Sequence, residues 1–356
     1  MKTRLKILNL IDIPWNSGLT SYALDQARAL RGYGHEVHFA CPDGSFAGDF
    51  AGREGFPRVS LPDRKTPFLR LPFAKMSDFL SAERIDVINA HTGKTQTLAA
   101  LLSFRPAGKT AVIRTKADAR PPSKSFRFMR IAKIIAASDF IRNGYLKAGA
   151  PPEKISLARQ GIQLAPAELR KPEPPYKIGL LGRLDEVKGH KYFLEAAALV
   201  LKSGAKAEFH IAGQEAGIKY SGLEKLAKDL GLGKAAVFHG RVPDSFEFMN
   251  SCDIGVIPSL GSEAVSRAAL EWLSAAKPLV ASRVGSLNEF ATPENLVPPA
   301  ESAALARRLE ALLAAPELLN AHGSANRARA ATVFSPDIFA RLTNAAFESA
   351  AKELRA

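Results

Sequence analysis

Cysteine is nearly missing from this chain of 356 residues. Its two cysteines, Cys41 and Cys252, stand far apart and without metal-ligand spacing. That excludes a disulfide framework and a thiolate zinc site, and it suits two small core residues in a reducing compartment. Long apolar runs are missing too: nothing approaches the roughly 18 residues that a membrane span needs. The basic start (Lys2, Arg4, Lys6) precedes an apolar run from Ile7 to Ile13. That run is short, is interrupted by Asn9 and Asp12, and lacks a small-residue cleavage site, so it reads as a buried first strand rather than a secretory signal. A cytoplasmic protein is expected. Acidic residues are scarce in the first half. Up to residue 175 there are 28 Lys+Arg against 15 Asp+Glu, which carries +13 of the total +14. This half therefore expects an anionic partner: a phosphorylated acceptor, an acidic membrane surface or nucleic acid. The last is set aside, because no nucleic-acid module is recognisable and the arginines form no helical stripe with stacking aromatics.

What is present alternates between strand and helix. Leu5 to Ile11 reads as a strand, Thr20 to Arg31 as an amphipathic helix, and Glu36 to Ala40 as the next strand. Further strands are expected at 86–89, 111–114 and 133–136, with helices at 94–104 and 138–148. Two basic stretches break the pattern. Pro57 to Phe73 carries Arg58, Arg64, Lys65 and Arg70 around Phe68 and Leu71, and Arg114 to Arg130 carries Lys116, Arg120, Lys124 and Arg127. Both are expected as surface loops suited to anionic lipid or phosphate. A proline-rich linker falls at Leu169 to Tyr176, after which the alternation restarts with strands at 176–181, 207–212, 236–238, 254–257 and 279–281. A helical tail runs from Ser302, broken near Pro316 and Pro336. The pattern predicts two doubly wound parallel-sheet domains facing across a cleft, with ligands at the carboxyl ends of the strands.

Two segments carry chemistry. Gly182 to His190 follows a strand and opens a helix, bringing Arg183 and Lys188 beside a helix N-terminus, where a diphosphate can be held without a metal. Taken alone, solvated loop charges would explain it as well. In Pro258 to Glu271, a helix starting near Val265 leaves Glu263 in the preceding loop, free to accept hydrogen bonds from sugar hydroxyls. The amides of Ala264, Val265 and Ser266 would point at an anion. Glu271 would reach a ribose, or else be a helical surface charge, although its neighbours Leu270, Trp272 and Leu273 are apolar.

In order and spacing these segments resemble the GT-B glycosyltransferases, specifically the large retaining group called glycosyltransferase family 4, of the bacterial cell-envelope and lipopolysaccharide kind. The likeness covers nearly the whole chain, through 180–197, 210–213, 237–240, 263–271 and 278–282, and upstream through 32–37 and 136–162. It implies an α/β fold of two Rossmann-like domains. An acceptor-binding domain would span 1–170 and a nucleotide-sugar domain 171–335, with a C-terminal helix at 336–356 packing back on the first. It implies that Arg183 and Lys188 bind the donor diphosphate and stabilise the leaving group. Glu263 would hold the sugar, Glu271 the ribose, backbone from Gly240 to Val242 the base, and Gly18 the donor from the first loop. His91 matches a cleft histidine of the family, placed to hydrogen-bond a sugar hydroxyl or stabilise charge. Arg114, Lys116 and Arg120 are acceptor-side candidates.

The resemblance further implies retaining transfer with no metal and no cofactor, from a UDP-, GDP- or ADP-sugar. The acceptor would be an anionic or lipid-linked glycan such as lipopolysaccharide core, met by peripheral contact with an anionic membrane. The chain departs from the family pattern in having one glycine in its first loop (Trp15 to Thr20), and Ala264 and Val265 after Glu263. These departures bear on acceptor geometry and donor-sugar choice. A same-fold phosphorylase, a transferase with a soluble product and a non-catalytic sugar-nucleotide binder are the alternatives.

Overall fold

The computed structural model describes residues 4–104, 110–122, 128, 130–166 and 171–355. Lys124, Arg127, Leu169 and Arg170, named above, lie outside the described residues. The chain divides into two compact units. One comprises Met1–Gly161 with Pro336–Ala356, the other Ile162–Ser335.

The first unit is built on seven strands: β1 (Lys6–Leu10), β2 (Glu36–Cys41), β3 (Arg58–Ser60), β4 (Val87–Ala90), β5 (Ala111–Lys116), β6 (Lys133–Ala136) and β7 (Ile155–Leu157). They lie in the order β3-β2-β1-β4-β5-β6-β7, and every pairing is parallel. Five helices follow strands in the usual crossover fashion: α1 (Gly18–Gly32), α2 (Phe46–Arg53), α3 (Phe73–Ala82), α4 (Gly93–Leu102) and α5 (Asp139–Lys147). Strand alternation sorts the two faces. Leu8, Leu10, Ile88, Ala90 and Val112 pack under Met76 and Leu80 of α3 and Leu98, Ala99 and Leu102 of α4. Asn9 and Asn89 point the other way, toward Gln26 of α1.

The second unit repeats the plan with β8 (Tyr176–Leu181), β9 (Ala207–Ala212), β10 (Ala236–Gly240), β11 (Ile254–Ile257), β12 (Leu279–Ser282) and β13 (Leu296–Val297). The order is β10-β9-β8-β11-β12-β13, again all parallel. Its helices are α6 (His190–Lys202), α7 (Tyr220–Asp229), α8 (Ser245–Ser251), α9 (Arg267–Ser274), α10 (Ser302–Leu313) and α11 (Leu319–Val333). One face packs Ile178, Leu180, Phe209, Ile211 and Val256 against α6, α7 and α10. On the other, Trp272 of α9 lies on the two central strands. Gly179 and Gly255 are register partners there. A Cβ on Gly255 would stand 2.4 Å from the indole, and one on Gly179 would stand 2.6 Å from Cys252 Sγ. Glycine at both positions lets α9 sit down on the sheet, and so fixes where that helix begins.

The last helix, α12 (Pro336–Arg355), belongs to the first unit. Phe339 meets Tyr22 of α1 edge-on at 5.2 Å, and Asn344 Oδ1 lies 2.6 Å from His35 Nε2. Both cysteines are buried thiols outside any disulfide. Among the described residues, no helix is long and apolar enough to cross a membrane.

The α/β class with doubly wound parallel sheets is as expected. The strands β3, β7 and β13 and the helices α2, α3 and α8 were not anticipated. The second basic stretch also needs correcting: the strand expected at 111–114 runs on to Lys116, and Arg114 and Lys116 are buried in it rather than on a surface loop.

Candidate active site

In a doubly wound sheet the strand order reverses once, and ligands collect outside the carboxyl ends at that point. In the second unit the reversal falls between β8 and β11, so the loops leaving those strands are 182–189 and 258–266. These are the two segments singled out from sequence. They are tied together by backbone. Leu260 N–H donates to Val187 O at 2.7 Å. Gly189 has φ 72°, and a Cβ there would stand 1.9 Å from Pro258 O.

Glu263 is buried at 2% exposure. Its Oε1 accepts Lys188 Nζ at 2.6 Å and Ser259 Oγ at 2.7 Å, and its carbonyl accepts Ser286 N–H at 2.6 Å. The sequence reading left this carboxylate free for a ligand and gave Lys188 a separate task. In the structure the two are an ion pair, and the loop is locked around them. Ser262, just before, adopts φ 62°, an unusual backbone state for a residue with a side chain that is found disproportionately at functional sites. Arg183 is exposed, with Asp185 3.8 Å away as its carboxylate partner. His190 opens α6, and burial pushes its pKa down to about 4.

Helix α9 starts at Arg267, later than the Val265 expected. Ser266 is its N-cap residue yet makes no side-chain capping bond, which leaves orphan amides at the helix start. Ala264 and Ser266 are buried and Val265 is half-buried. Glu271 accepts Arg267 Nε at 3.0 Å and is largely covered. At the neighbouring strand ends, Gly213 N–H donates to Gly240 O at 2.8 Å. Gly240 itself sits at φ 67° beside a register shift in β10, and Val242 packs against the Trp272 cluster.

In the first unit the reversal falls between β1 and β4. Gly18 is the first residue of α1, whose N-cap Ser17 accepts Thr20 N–H at 3.2 Å. His91 follows β4 and is fully buried. Its Nε2 lies 3.0 Å from Asn89 Nδ2 and 3.2 Å from Asn9 Oδ1, and its Nδ1 has no partner among the described residues. Gln26 and Thr115 complete the network through Asn89. Burial, helped by the nearby Arg114 charge, pushes the His91 pKa down to about 3, so the ring is neutral at ordinary pH. Arg114 donates to Ala90 O at 2.9 Å and to Thr115 O, while Lys116 pairs with Asp118. Arg120 is exposed.

Sequence reasoning passed over Asp12. It is buried at the end of β1, and neither carboxylate oxygen has a partner among the described residues. The signal was a charge interrupting an apolar strand. The described residues hold one group of His and carboxylates with metal-ligand geometry, Glu36, His38 and Glu83. It lies away from these loops, and Lys6 Nζ sits 3.4 Å from Glu36 and 3.9 Å from Glu83.

Comparison with known proteins bears on this arrangement. Residues 16–165 match Glycosyltransferase Family 4, and residues 175–315 match Glycosyl transferases group 1. The α-D-kanosaminyltransferase of Streptomyces kanamyceticus is 32% identical over 191 residues, covering 48% of this chain and 48% of that protein. A D-inositol 3-phosphate glycosyltransferase of Acidothermus cellulolyticus is 29% identical over 198 residues, covering 48% of this chain and 44% of that protein. The matches thus span under half the length of these curated relatives. Anabaena HepE in complex with UDP and glucose shares the fold with a TM-score of 0.79 at 20% identity, over 97% of this chain and 100% of that one. With both halves matched by glycosyltransferase families and two Rossmann-like units in one chain, the protein belongs to the GT-B glycosyltransferases of the family 4 type.

Proposed function

We propose that this chain moves a sugar from a nucleotide-diphosphate sugar to an anionic or lipid-linked glycan acceptor, with retention of anomeric configuration and without a metal ion. The observation that carries the reading is the locked loop pair of the second unit. Glu263 is held by Lys188 and Ser259 beside the uncapped start of α9, with Arg183 on the same strand-end loop as Lys188. UDP in the complex of the similar Anabaena protein favours a nucleotide donor.

In this reading Arg183, Lys188 and the amides of 264–266 receive the diphosphate. Lys188 shares its ammonium between Glu263 and a phosphate oxygen, and Glu263 accepts a sugar hydroxyl. Glu271, Gly240 and Val242 serve the ribose and base. The bond from the anomeric carbon to the phosphate oxygen breaks as the acceptor oxygen attacks on the same face. The acceptor proton passes to the departing diphosphate. His91, neutral, offers Nδ1 to a hydroxyl rather than acting as a charged acid.

The acceptor assignment is supported by the basic first half and by the similar D-inositol 3-phosphate glycosyltransferase of Acidothermus cellulolyticus. Contact with an anionic membrane is supported by Leu69 at 97% exposure, flanked by Phe68 and Phe73 and by Arg64, Lys65, Arg70 and Lys75. Flotation with anionic vesicles checks this, and a Leu69→Asp variant that floats as well as wild type removes the membrane contact from the account.

The test of function is thermal stabilisation by UDP, GDP, ADP, CMP and dTDP, with EDTA and then with magnesium. It is followed by NMR assignment of the anomer formed from the selected donor. One diphosphate acting without metal, and a retained anomer, are expected. No stabilisation by any nucleotide, or an inverted product, overturns the corresponding part. Inversion would turn attention to Asp12, an unpaired buried carboxylate able to serve as a base.

A further inference from the structure

Charges are rarely buried unless paired, because desolvation costs several kcal/mol per ion. The carboxyl end of β5 breaks that balance. Arg114 is 2% exposed and Lys116 5% exposed. Both face one carboxylate: Asp118 Oδ1 binds Lys116 Nζ, and Asp118 Oδ2 lies 3.6 Å from Arg114. Asp118 Oδ1 also accepts Arg120 N–H at 3.0 Å, so this carboxylate is already shared three ways. Arg120 adds a third cation on the same turn, and Tyr145 of α5 brings a hydroxyl, not a charge, to Arg114. Two buried cations and one shared anion leave a local surplus of positive charge.

The donors differ in availability. Arg114 Nη1 is spent on the Ala90 and Thr115 carbonyls and Nη2 faces Asp118. Lys116 has three N–H donors and, among the described residues, the single partner Asp118. An arginine fork binds carboxylate or phosphate in two bonds and an ammonium binds phosphate as a point charge; here the ammonium of Lys116 has donors to spare.

We propose that the carboxyl end of β5 is a phosphate receptor: Lys116 donates to a phosphate group carried by the acceptor, Arg120 and Arg114 add field, and Asp118 is the internal anion that holds Lys116 until the phosphate arrives. Only the word acceptor rests on the transferase reading; the receptor itself rests on the charge arrangement. Burial and the Arg114 charge press the Lys116 pKa down to about 8, a cost that an arriving anion relieves.

The experiment is calorimetric titration of the full chain with inorganic phosphate at fixed ionic strength, in wild type, Lys116→Met, Asp118→Asn and Lys188→Ala. Wild type should bind saturably. Lys116→Met should weaken binding about tenfold or more, as losing a charge-assisted bond does. Asp118→Asn should tighten it several-fold, a gain that damage to the fold would not give, and it decides the matter if Lys116→Met fails to fold. Lys188→Ala, which removes phosphate held at the donor loop of the second unit, should leave the Lys116-dependent part of the isotherm in place. Glucose 6-phosphate and glycerol 1-phosphate then separate a glycan phosphate from a lipid headgroup, and tighter binding of either supports the receptor and names the source. The proposal is overturned if wild type shows no saturable binding, if Asp118→Asn weakens it, or if binding follows Lys188 and ignores Lys116. If phosphate follows Lys116 while every nucleotide fails, the transferase reading falls and the receptor stands. The reverse result removes the receptor alone.

Discussion

Replacing Lys188 with alanine probes the locked loop in the free protein, before any ligand. The substitution leaves the Glu263 carboxylate at 2% exposure with Ser259 Oγ as its remaining side-chain partner. Breaking a fully buried pair costs about 3–5 kcal/mol, but the Lys188 side chain is 27% exposed and water can partly replace it. An uncompensated buried acceptor then sets a cost of about 2 kcal/mol, or roughly 4–8 °C in Tm if about 2–4 °C is lost per kcal/mol in a unit of this size. Glu263→Gln in the Lys188→Ala background removes the stranded charge and should return half or more of that loss. Scanning calorimetry of wild type, both single variants and the double variant gives the coupling directly. Unchanged Tm in Lys188→Ala, or strict additivity in the double variant, would refute the claim that Lys188 and Glu263 act as one unit.

Other expectations follow from the same structure. Gly189→Ala should destabilise the second unit and abolish nucleotide binding, since the new Cβ would overlap Pro258 O; circular-dichroism melts and nucleotide titration check it. His91 has a folded pKa near 3 against an ordinary 6.5. Its contribution to stability is therefore present above pH 6.5 and is lost as pH falls toward 3, and His91→Gln should flatten that part of a urea-midpoint profile. Lys116, depressed from 10.5 to about 8, gives full stability above pH 10.5 and loses it as pH falls through 8, while phosphate affinity runs oppositely and fades above pH 8. A matched titration of Lys116→Met should show neither trend. Asn89→Ala takes one buried partner each from Asn9, Gln26 and Thr115, leaving Asn9 with His91 and Gln26 with Thr115. It should cost roughly 3 kcal/mol or more, read from the denaturation midpoint.

Legibility in the sequence followed burial. Strands β8 and β9 matched their expected limits because each is a mostly apolar stretch, though interrupted by Lys177 in one and by Glu208 and His210 in the other, that runs into a glycine at Gly182 or Gly213. Strands β3, β7 and β13 have two or three residues each and are mostly exposed or half-buried, so no period stands out. Helix α3 was hidden by the proline-rich stretch before it. The burial of Arg114 and Lys116 was missed because a charge does not announce its burial; the Ala90 carbonyl that accepts Arg114 belongs to β4, 24 residues away. The phosphate and glutamate loops were each visible as short segments. Their ion pair was not, since Lys188 and Glu263 are 75 residues apart and meet only because β8 and β11 are neighbours.

The central claim is that the second unit grips a nucleotide diphosphate through Arg183, Lys188 and the start of α9. Its most direct test is calorimetric titration of the nucleotide selected by the stability screen, in EDTA, against wild type, Arg183→Ala, Lys188→Ala and the same nucleotide as its monophosphate. Saturable metal-independent binding is expected, weakened about tenfold or more by each substitution and by loss of the second phosphate. Equal affinity for monophosphate and diphosphate, with both variants binding like wild type, would contradict it.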